Sequence, residues 1–212
     1  MKYCFGIDIG GTTVKLGLFD ENGELLSKWQ IITRTENRGE AILPDIVNAI
    51  RIKQEEYDIA IEEIIGVGVG VPAAVCGNGI VETTTNLGWG YKNVKQELED
   101  LTGLSVFVEN DANVAALGEM YYGAGIGCKN VVMLTLGTGV GGGIVANGKL
   151  VAGVKGGAQV DVLVEHTVGA GGEGFAGARN PHQGLVLQSV LQPLLQACHR
   201  LRLVPHHLVF RY

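Results

Sequence analysis

The stretch Val106-Phe107-Val108-Glu109-Asn110-Asp111-Ala112-Asn113 decides the fold of this chain, because it predicts a strand that turns directly into a helix. Its first residues are apolar and β-prone, and an alanine-rich segment with helical spacing follows. A carboxylate at such a turn, here Asp111, is suited to general-base chemistry, since the scaffold holds it still while the turn exposes it. Taken alone, the stretch predicts only a helix capped by Asn110 or Asp111. The glycine-rich loops on either side of it favour the base.

The first of these loops lies in a predicted three-stranded meander with strands at Tyr3–Ile9, Lys15–Phe19 and about 24–32. Its first turn is Gly10-Gly11-Thr12-Thr13, preceded by Asp8 and followed by Lys15. Glycines let backbone N–H groups approach an anion, hydroxyl groups donate hydrogen bonds to it, and Asp8 is suited to holding a hydrated Mg²⁺. An ordinary glycine hairpin turn with polar tips explains the same residues. Both interpretations stay open at this point.

The second loop follows a strand predicted at 130–136 and reads Gly137-Thr138-Gly139-Val140-Gly141-Gly142-Gly143. Three of its glycines satisfy the G-x-G-x-x-G spacing, but the dinucleotide-binding form of that motif must open a helix, and this one opens the strand 144–146. The pattern therefore disfavours a nicotinamide-dependent oxidoreductase. A hairpin with glycines and Thr138 at its tip instead favours a second phosphate cradle made of backbone amides.

The segment between the loops predicts an amphipathic packing helix from 38 to 57 and a strand at Ile64–Val71. Glycines on alternate positions of that strand share one face, so a neighbouring backbone or a ligand is expected to approach it closely. The polar loop 83–90 contains Asn86 and Trp89, and an amide beside an aromatic face suits a sugar. A loop anchored by a half-buried Trp89 is the alternative.

Composition excludes several functional classes. The chain has 212 residues, 46% of them hydrophobic, and contains no run of ~18 apolar residues that would span a membrane. A net charge of -6 without a Lys/Arg-rich stretch argues against a nucleic-acid surface and favours a small-molecule partner. The four cysteines lie far apart, which indicates neither a zinc knuckle nor a disulfide framework. The N-terminus has no signal-peptide design, so we expect a cytoplasmic protein.

Two strand-turn-strand loops with a strand-end aspartate between them resemble the actin/hexokinase/Hsp70 superfamily of ATPases and, within it, the ROK family of sugar kinases and repressors. The matching stretches cover roughly residues 1 to 157 in the family's order. They are Gly6-Ile7-Asp8-Ile9-Gly10-Gly11-Thr12-Thr13-Val14-Lys15, Thr85-Asn86-Leu87-Gly88-Trp89, Glu109-Asn110-Asp111-Ala112-Asn113 with Gly118-Glu119, and Leu136-Gly137-Thr138-Gly139-Val140-Gly141-Gly142-Gly143. The resemblance implies an α/β, ribonuclease H-like, actin/hexokinase-type fold of two lobes with the second lobe incomplete. Residues 1–117 would form the N-terminal lobe, 118–158 the start of the C-terminal lobe, and 159–212 a tail outside the family.

The resemblance also implies a function, namely ATP-dependent phosphorylation of a hexose on its 6-hydroxyl group, as in glucokinases. Asp111 would be the catalytic base, and Asn86, Asn110 and Asp111 would bind the sugar. Asp8 would hold Mg²⁺ through water. The ATP-binding residues would be Asp8, Gly10, Gly11, Thr12, Thr13 and Lys15 in the first loop and Gly137, Thr138, Gly139 and Gly141 in the second. The implied partners are ATP, a hexose or amino sugar, and a second copy of the chain in a homodimer.

The chain departs from the family after Gly156-Gly157-Ala158. Family members continue with Gly-Glu-x-Gly-His and a zinc loop of the form Cys-x-Cys-Gly-x-x-Gly-Cys-x-Glu, and this chain has neither after Gln159, so we expect no structural zinc site. Every lysine lies at or before Lys155, whereas every histidine lies after it. We therefore expect the residues from about Gln159 onward to be an out-of-frame or rearranged ending. The alternatives to an active kinase are an inactive kinase remnant and a non-catalytic sugar-binding regulator, although the regulators normally begin with a helix-turn-helix.

Overall fold

The computed structural model describes residues 1–136 and 140–151 of the chain. The strands are β1 (Tyr3–Ile9), β2 (Thr13–Asp20), β3 (Leu25–Ile32), β4 (Ile64–Val71), β5 (Val75–Cys76), β6 (Ile80–Val81), β7 (Lys92–Asn93), β8 (Val106–Asn110), β9 (Val131–Leu136), β10 (Val140–Ala146) and β11 (Lys149–Leu150). The helices are α1 (Glu36–Gly39), α2 (Ile42–Glu56), α3 (Val94–Thr102) and α4 (Asp111–Tyr122), with one 3-10 turn at Ile61–Glu63.

The main sheet has five strands in the order β3-β2-β1-β4-β8. Strands β1, β2 and β3 form the predicted antiparallel meander, whereas β4 and β8 join β1 in parallel. Because parallel strands are covered on both faces, their sequences are nearly continuous apolar runs. The predicted bounds Tyr3–Ile9 and Ile64–Val71 are confirmed.

Helix α2 covers this sheet with one apolar face, on which Ile42, Ile46 and Ile50 are fully buried. The helix begins at Ile42 rather than near residue 38, so the predicted start was wrong. The chain just before it has positive φ angles of 50° at Asn37 and 59° at Arg38, a conformation that cannot continue a right-handed helix. The sequence pattern therefore identified the packing face of α2 but not the residue at which the helix begins.

A second, antiparallel sheet has the order β11-β10-β9, and a small third sheet has the order β5-β6-β7. Helix α4 lies on the second sheet, where Ala116, Met120 and Val145 form a buried cluster. Val132 and Leu134 of β9 are exposed. The structure confirms an α/β fold. Helix α4 continues across residues 117 and 118, where the boundary between the lobes was predicted, and the division into lobes stays a prediction.

None of the helices in the described ranges is long and apolar enough to cross a membrane. The tail predicted at 159–212 lies outside those ranges.

Candidate active site

The turn between β1 and β2 is held by hydrogen bonds to its own backbone and to the residue that follows β3. The Gly10 N–H donates to the Thr13 carbonyl oxygen at 3.0 Å. A Cβ atom on Gly10 would lie 2.8 Å from that same oxygen, so only glycine fits this close approach. The Thr33 hydroxyl donates to the Gly10 carbonyl oxygen at 2.7 Å, and the Thr33 N–H donates to the Thr12 carbonyl oxygen at 2.9 Å. The predicted phosphate loop is thus a tightly constrained turn.

Asp8 and Lys15 face each other across this hairpin, because they are register partners of β1 and β2. The Lys15 Nζ lies 3.7 Å from Asp8 Oδ2. Burial raises the pKa of the Asp8 carboxyl, and the positive charge of Lys15 opposes that shift. A partly buried carboxylate whose raised pKa is only partly offset by Lys15 is suited to a further cation nearby.

Three adjacent parallel strands carry Asp8, Gly70 and Glu109 in one row, since Gly70 pairs with Asp8 on β1 and with Glu109 on β8. Residues paired in this way project to the same face of a sheet. A Cβ atom on Gly70 would lie 3.7 Å from Asp111 Cα. Asp111 therefore lies on the face of the sheet to which the side chains of Asp8 and Glu109 project.

Asn110 is the residue that caps the start of α4. Its Oδ1 accepts hydrogen bonds from the N–H groups of Ala112 at 3.0 Å and Asn113 at 3.1 Å, which makes it the N-cap. Its Nδ2 donates to the Ala73 carbonyl oxygen at 3.1 Å, and the side chain is 5% exposed. Asp111 is the first residue of α4, with Oδ1 2.8 Å from the Ala112 nitrogen, and is partly exposed. The N-cap is therefore Asn110, and the predicted role of Asp111 as base stays a prediction.

Glu109 and Asn113 brace this turn, and sequence reasoning gave neither of them a role. Glu109 Oε1 accepts hydrogen bonds from the Asn110 N–H at 2.8 Å and from Asn113 Nδ2 at 3.1 Å. Burial raises the pKa of the Glu109 carboxyl, and these two hydrogen bonds oppose the shift. Asn113 is fully buried, and its Oδ1 has no hydrogen-bond partner within the described part of the chain. Polar residues at a strand end followed by an alanine-rich helix were the only sequence signal for such a brace.

Asn86 lies beside the first loop, where a Cβ atom on Gly11 would be 3.1 Å from Asn86 Cβ. The structure thus brings the predicted sugar-side amide next to the predicted phosphate loop, and Asn86 is exposed there. Trp89 is 3% exposed, and its Nε1 donates to the Gly39 carbonyl oxygen at 3.1 Å. Because the indole is buried, Trp89 anchors the loop and its face is not available to a sugar ring.

The second predicted loop is described only in part. Strands β9 and β10 pair up to Leu136 and Val140, which confirms a hairpin, and the Gly141 backbone pairs with Thr135. Gly137, Thr138 and Gly139 at the tip lie outside the described residues, as does the segment from Gln159 onward in which the zinc loop of the family is missing. Their predicted roles stay predictions.

Comparison with known proteins gives one family: the family model described as "ROK family" matches residues 4–159. The glucokinase of Halalkalibacterium halodurans is 42% identical over 156 residues, which are 73% of this chain and 47% of that protein. The glucokinase of Thermotoga maritima is 41% identical over 162 residues, which are 75% of this chain and 50% of that protein.

Among solved structures, the ROK family glucokinase of Streptomyces griseus in complex with glucose and AMPPNP matches with a TM-score of 0.64 and 38% identity. The match covers 74% of this chain and 48% of that one. It confirms the predicted actin/hexokinase-type α/β fold for the matched residues. The chain spans about half the length of the curated relatives it matches.

Proposed function

The chain belongs to the ROK family, and on this premise we propose that it serves ATP-dependent phosphorylation of a hexose. The observation that carries the proposal is the position of Asp111, which opens α4 beside Gly70 on the sheet face to which Asp8 also projects. Phosphoryl transfer requires positioning and charge neutralisation more than covalent help from the protein. A carboxylate near a constrained turn of glycines and threonines meets that requirement.

The first loop would bind ATP phosphates through the backbone and hydroxyl groups of Gly10, Gly11, Thr12 and Thr13, with Lys15 as a cation at its end. Asp8 fits a Mg²⁺ held through water, because a nearby cation favours the ionised form of a carboxyl whose pKa burial has raised. When bound, Mg²⁺ neutralises charge on the phosphate oxygens. Backbone amides of Gly137, Thr138, Gly139 and Gly141 would hold the phosphates from the other side.

The sugar would lie between Asn86 and Asn110, with its 6-hydroxyl at Asp111. In the transfer step, the hydroxyl oxygen forms a bond to the γ-phosphorus of ATP while the bond from that phosphorus to the bridging oxygen breaks and ADP leaves. Asp111 accepts the hydroxyl proton as the oxygen attacks. The relatives named glucokinase support a hexose as substrate, and we extend the proposal to amino sugars. A cytoplasmic homodimer stays a prediction.

A second candidate is an inactive kinase remnant that still binds ligands. Such a remnant would keep the residues of the first loop and of the start of α4 but would not turn over, because phosphoryl transfer requires a cleft that closes around both substrates.

A coupled assay with Mg²⁺, ATP and a panel of glucose, fructose and N-acetylmannosamine tests the proposal and separates it from this alternative. Phosphorylation of one of these sugars above the rate of the Asp111→Asn variant supports the kinase. Binding of ATP and sugar without turnover, measured by calorimetry, supports the remnant. A chain that binds neither at millimolar concentration contradicts both.

A further inference from the structure

Thr33 is a buried polar residue that the proposed reaction does not use. It directly follows β3, is 7% exposed, and lies 23 positions from Gly10 in the chain. Both of its donors go to the first loop: the hydroxyl group to the Gly10 carbonyl oxygen at 2.7 Å and the N–H to the Thr12 carbonyl oxygen at 2.9 Å. A buried residue that donates two hydrogen bonds to one turn controls the geometry of that turn.

The two carbonyl groups determine where the N–H groups of the loop point. A trans peptide group is planar, and its C=O and N–H point in opposite directions. Since the Gly10 carbonyl points to Thr33, the N–H of Gly11 points away from Thr33. The Thr12 carbonyl also points to Thr33, so the N–H of Thr13 points away as well. Both N–H groups are thereby kept off Thr33, and the Gly11 N–H remains a donor for an anion bound at the loop, as in a backbone anion site.

Without the hydroxyl group, a different turn becomes available. In an ordinary two-residue hairpin the closing residues exchange two hydrogen bonds, here between Gly10 and Thr13. The structure has one of them, from the Gly10 N–H to the Thr13 carbonyl oxygen at 3.0 Å. The reverse bond is not among the backbone hydrogen bonds of the described residues, and the Gly10 carbonyl accepts from Thr33 instead. The Thr33 hydroxyl thus competes with Thr13 for this carbonyl.

We propose that Thr33 is a positioning residue, whose hydroxyl group keeps the first loop in its phosphate-binding form by preventing closure of an ordinary hairpin. The inference rests on the proposed function for the identity of the anion, a nucleotide phosphate. The structural part of the inference, that the Thr33 hydroxyl group sets the orientation of the Gly10–Gly11 peptide group, does not depend on whether the chain turns over substrate. Thr33 itself does not touch the reacting atoms.

The test compares three variants of the full chain by NMR. Thr33→Val keeps the shape and the backbone N–H but removes the hydroxyl group, whereas Thr33→Ser keeps the hydroxyl group. Thr35→Val is the matched control, because Thr35 makes no side-chain cap hydrogen bond. The carbonyl carbon shift of Gly10 reports whether its oxygen accepts the hydrogen bond, and titration of the Gly11 amide with Mg²⁺ and ATP reports phosphate affinity.

We expect Thr33→Val to change the Gly10 carbonyl shift and to weaken ATP binding roughly tenfold, the effect of losing one hydrogen bond that orients a binding loop. Thr33→Ser is expected to restore both, and Thr35→Val to change neither. A wild-type carbonyl shift in Thr33→Val would overturn the inference, as would equal loss in Thr33→Val and Thr33→Ser. If the wild-type chain does not respond to ATP, the proposed function fails and the carbonyl shift alone decides on Thr33.

Discussion

Gly70 lies beside Asp111, and a side chain much larger than a methyl group at position 70 would not fit between them. A Cβ atom on Gly70 would be 3.7 Å from Asp111 Cα and 4.0 Å from Asp111 Cβ. The missing side chain at this position of β4 lets the first turn of α4 settle onto the edge of the main sheet. That contact brings Asp111 to the face to which Asp8 and Glu109 project. The predicted close approach to the glycine face of β4 is thereby confirmed.

Asp111→Asn tests the role of the carboxylate as base. We expect sugar phosphorylation in the coupled assay to fall by about 10² to 10⁴, the usual contribution of general-base catalysis. The urea midpoint should be unchanged, because the Asn oxygen can still accept from the Ala112 N–H, which Asp111 accepts at 2.8 Å. Asp100→Asn, at an exposed position of α3, is the control and should keep full activity. Near-normal turnover by Asp111→Asn would show that another group takes the proton.

Asn110→Ala should destabilise the fold more than the loss of an ordinary cap. It removes the N-cap of α4 and also leaves the Ala73 carbonyl without its partner, so we expect a loss of about 2–3 kcal/mol in the free energy of unfolding. Asn93→Ala is the matched control, because Asn93 caps α3 through a single bond from the Gln96 N–H and should cost about 1 kcal/mol. Urea denaturation measures both. Equal losses would contradict the bracing role of Asn110.

Gly143→Ala tests the contact between α4 and the second sheet. A Cβ atom on Gly143 would lie 2.6 Å from Ala116 Cβ and 2.7 Å from the Ala112 carbonyl oxygen, so the helix must shift. We expect a loss of about 1–3 kcal/mol, as for other overpacked positions. Gly77→Ala is the control, since nothing lies within 4 Å of its added Cβ. Thermal or urea unfolding should show no loss for Gly77→Ala, and a similar loss in both variants would argue against a tight helix–sheet contact.

Glu109→Gln should change stability in a pH-dependent way with a defined sign. Burial raises the pKa of Glu109 above its ordinary 4.5, so ionisation of the folded protein carries a cost. That cost is absent below pH 4.5 and fully present above the raised folded pKa. Glutamine does not titrate but can still accept the bonds from the Asn110 N–H and Asn113 Nδ2. The stability of Glu109→Gln relative to wild type should therefore rise with pH across this window.

Asp20→Asn should change the pH dependence of stability in the direction opposite to that of Glu109→Gln. Burial of Asp20 favours a higher pKa, but hydrogen bonds from Glu24, Asn22 and Gly23 outweigh it and lower the pKa below its ordinary 3.8. The carboxylate therefore stabilises the fold above pH 3.8, and this contribution is lost as the pH falls through the folded pKa. The deficit of Asp20→Asn should shrink in acid. Urea unfolding at several pH values measures both variants. Parallel curves would contradict at least one of the two assignments, and two flat curves would contradict both.

Much of the fold was readable from local pattern. The apolar runs Tyr3–Ile9 and Ile64–Val71 predicted β1 and β4 with their observed bounds, because a strand buried on both faces needs apolar residues throughout. The amphipathic period likewise predicted the packing face of α2. Its start was missed because Asn37 and Arg38 both adopt positive φ, and Arg, unlike Asn, is not a residue type that favours this conformation.

The sequence by itself determined the family, the two glycine-rich loops and the aspartate at a strand-to-helix turn, since each depends on residues close together in the chain. Only the tertiary structure decided that Asn110 rather than Asp111 caps α4, that Trp89 is buried, and that Thr33 holds the first loop. The last two outcomes depend on hydrogen bonds between segments far apart in the chain, from Thr33 to Gly10 and from Trp89 to Gly39. The Asn110 cap bonds locally, but its Nδ2 also donates to the distant Ala73 carbonyl oxygen. Local residue patterns carry no information on such pairings, because a polar group that must be satisfied on burial does not specify its partner.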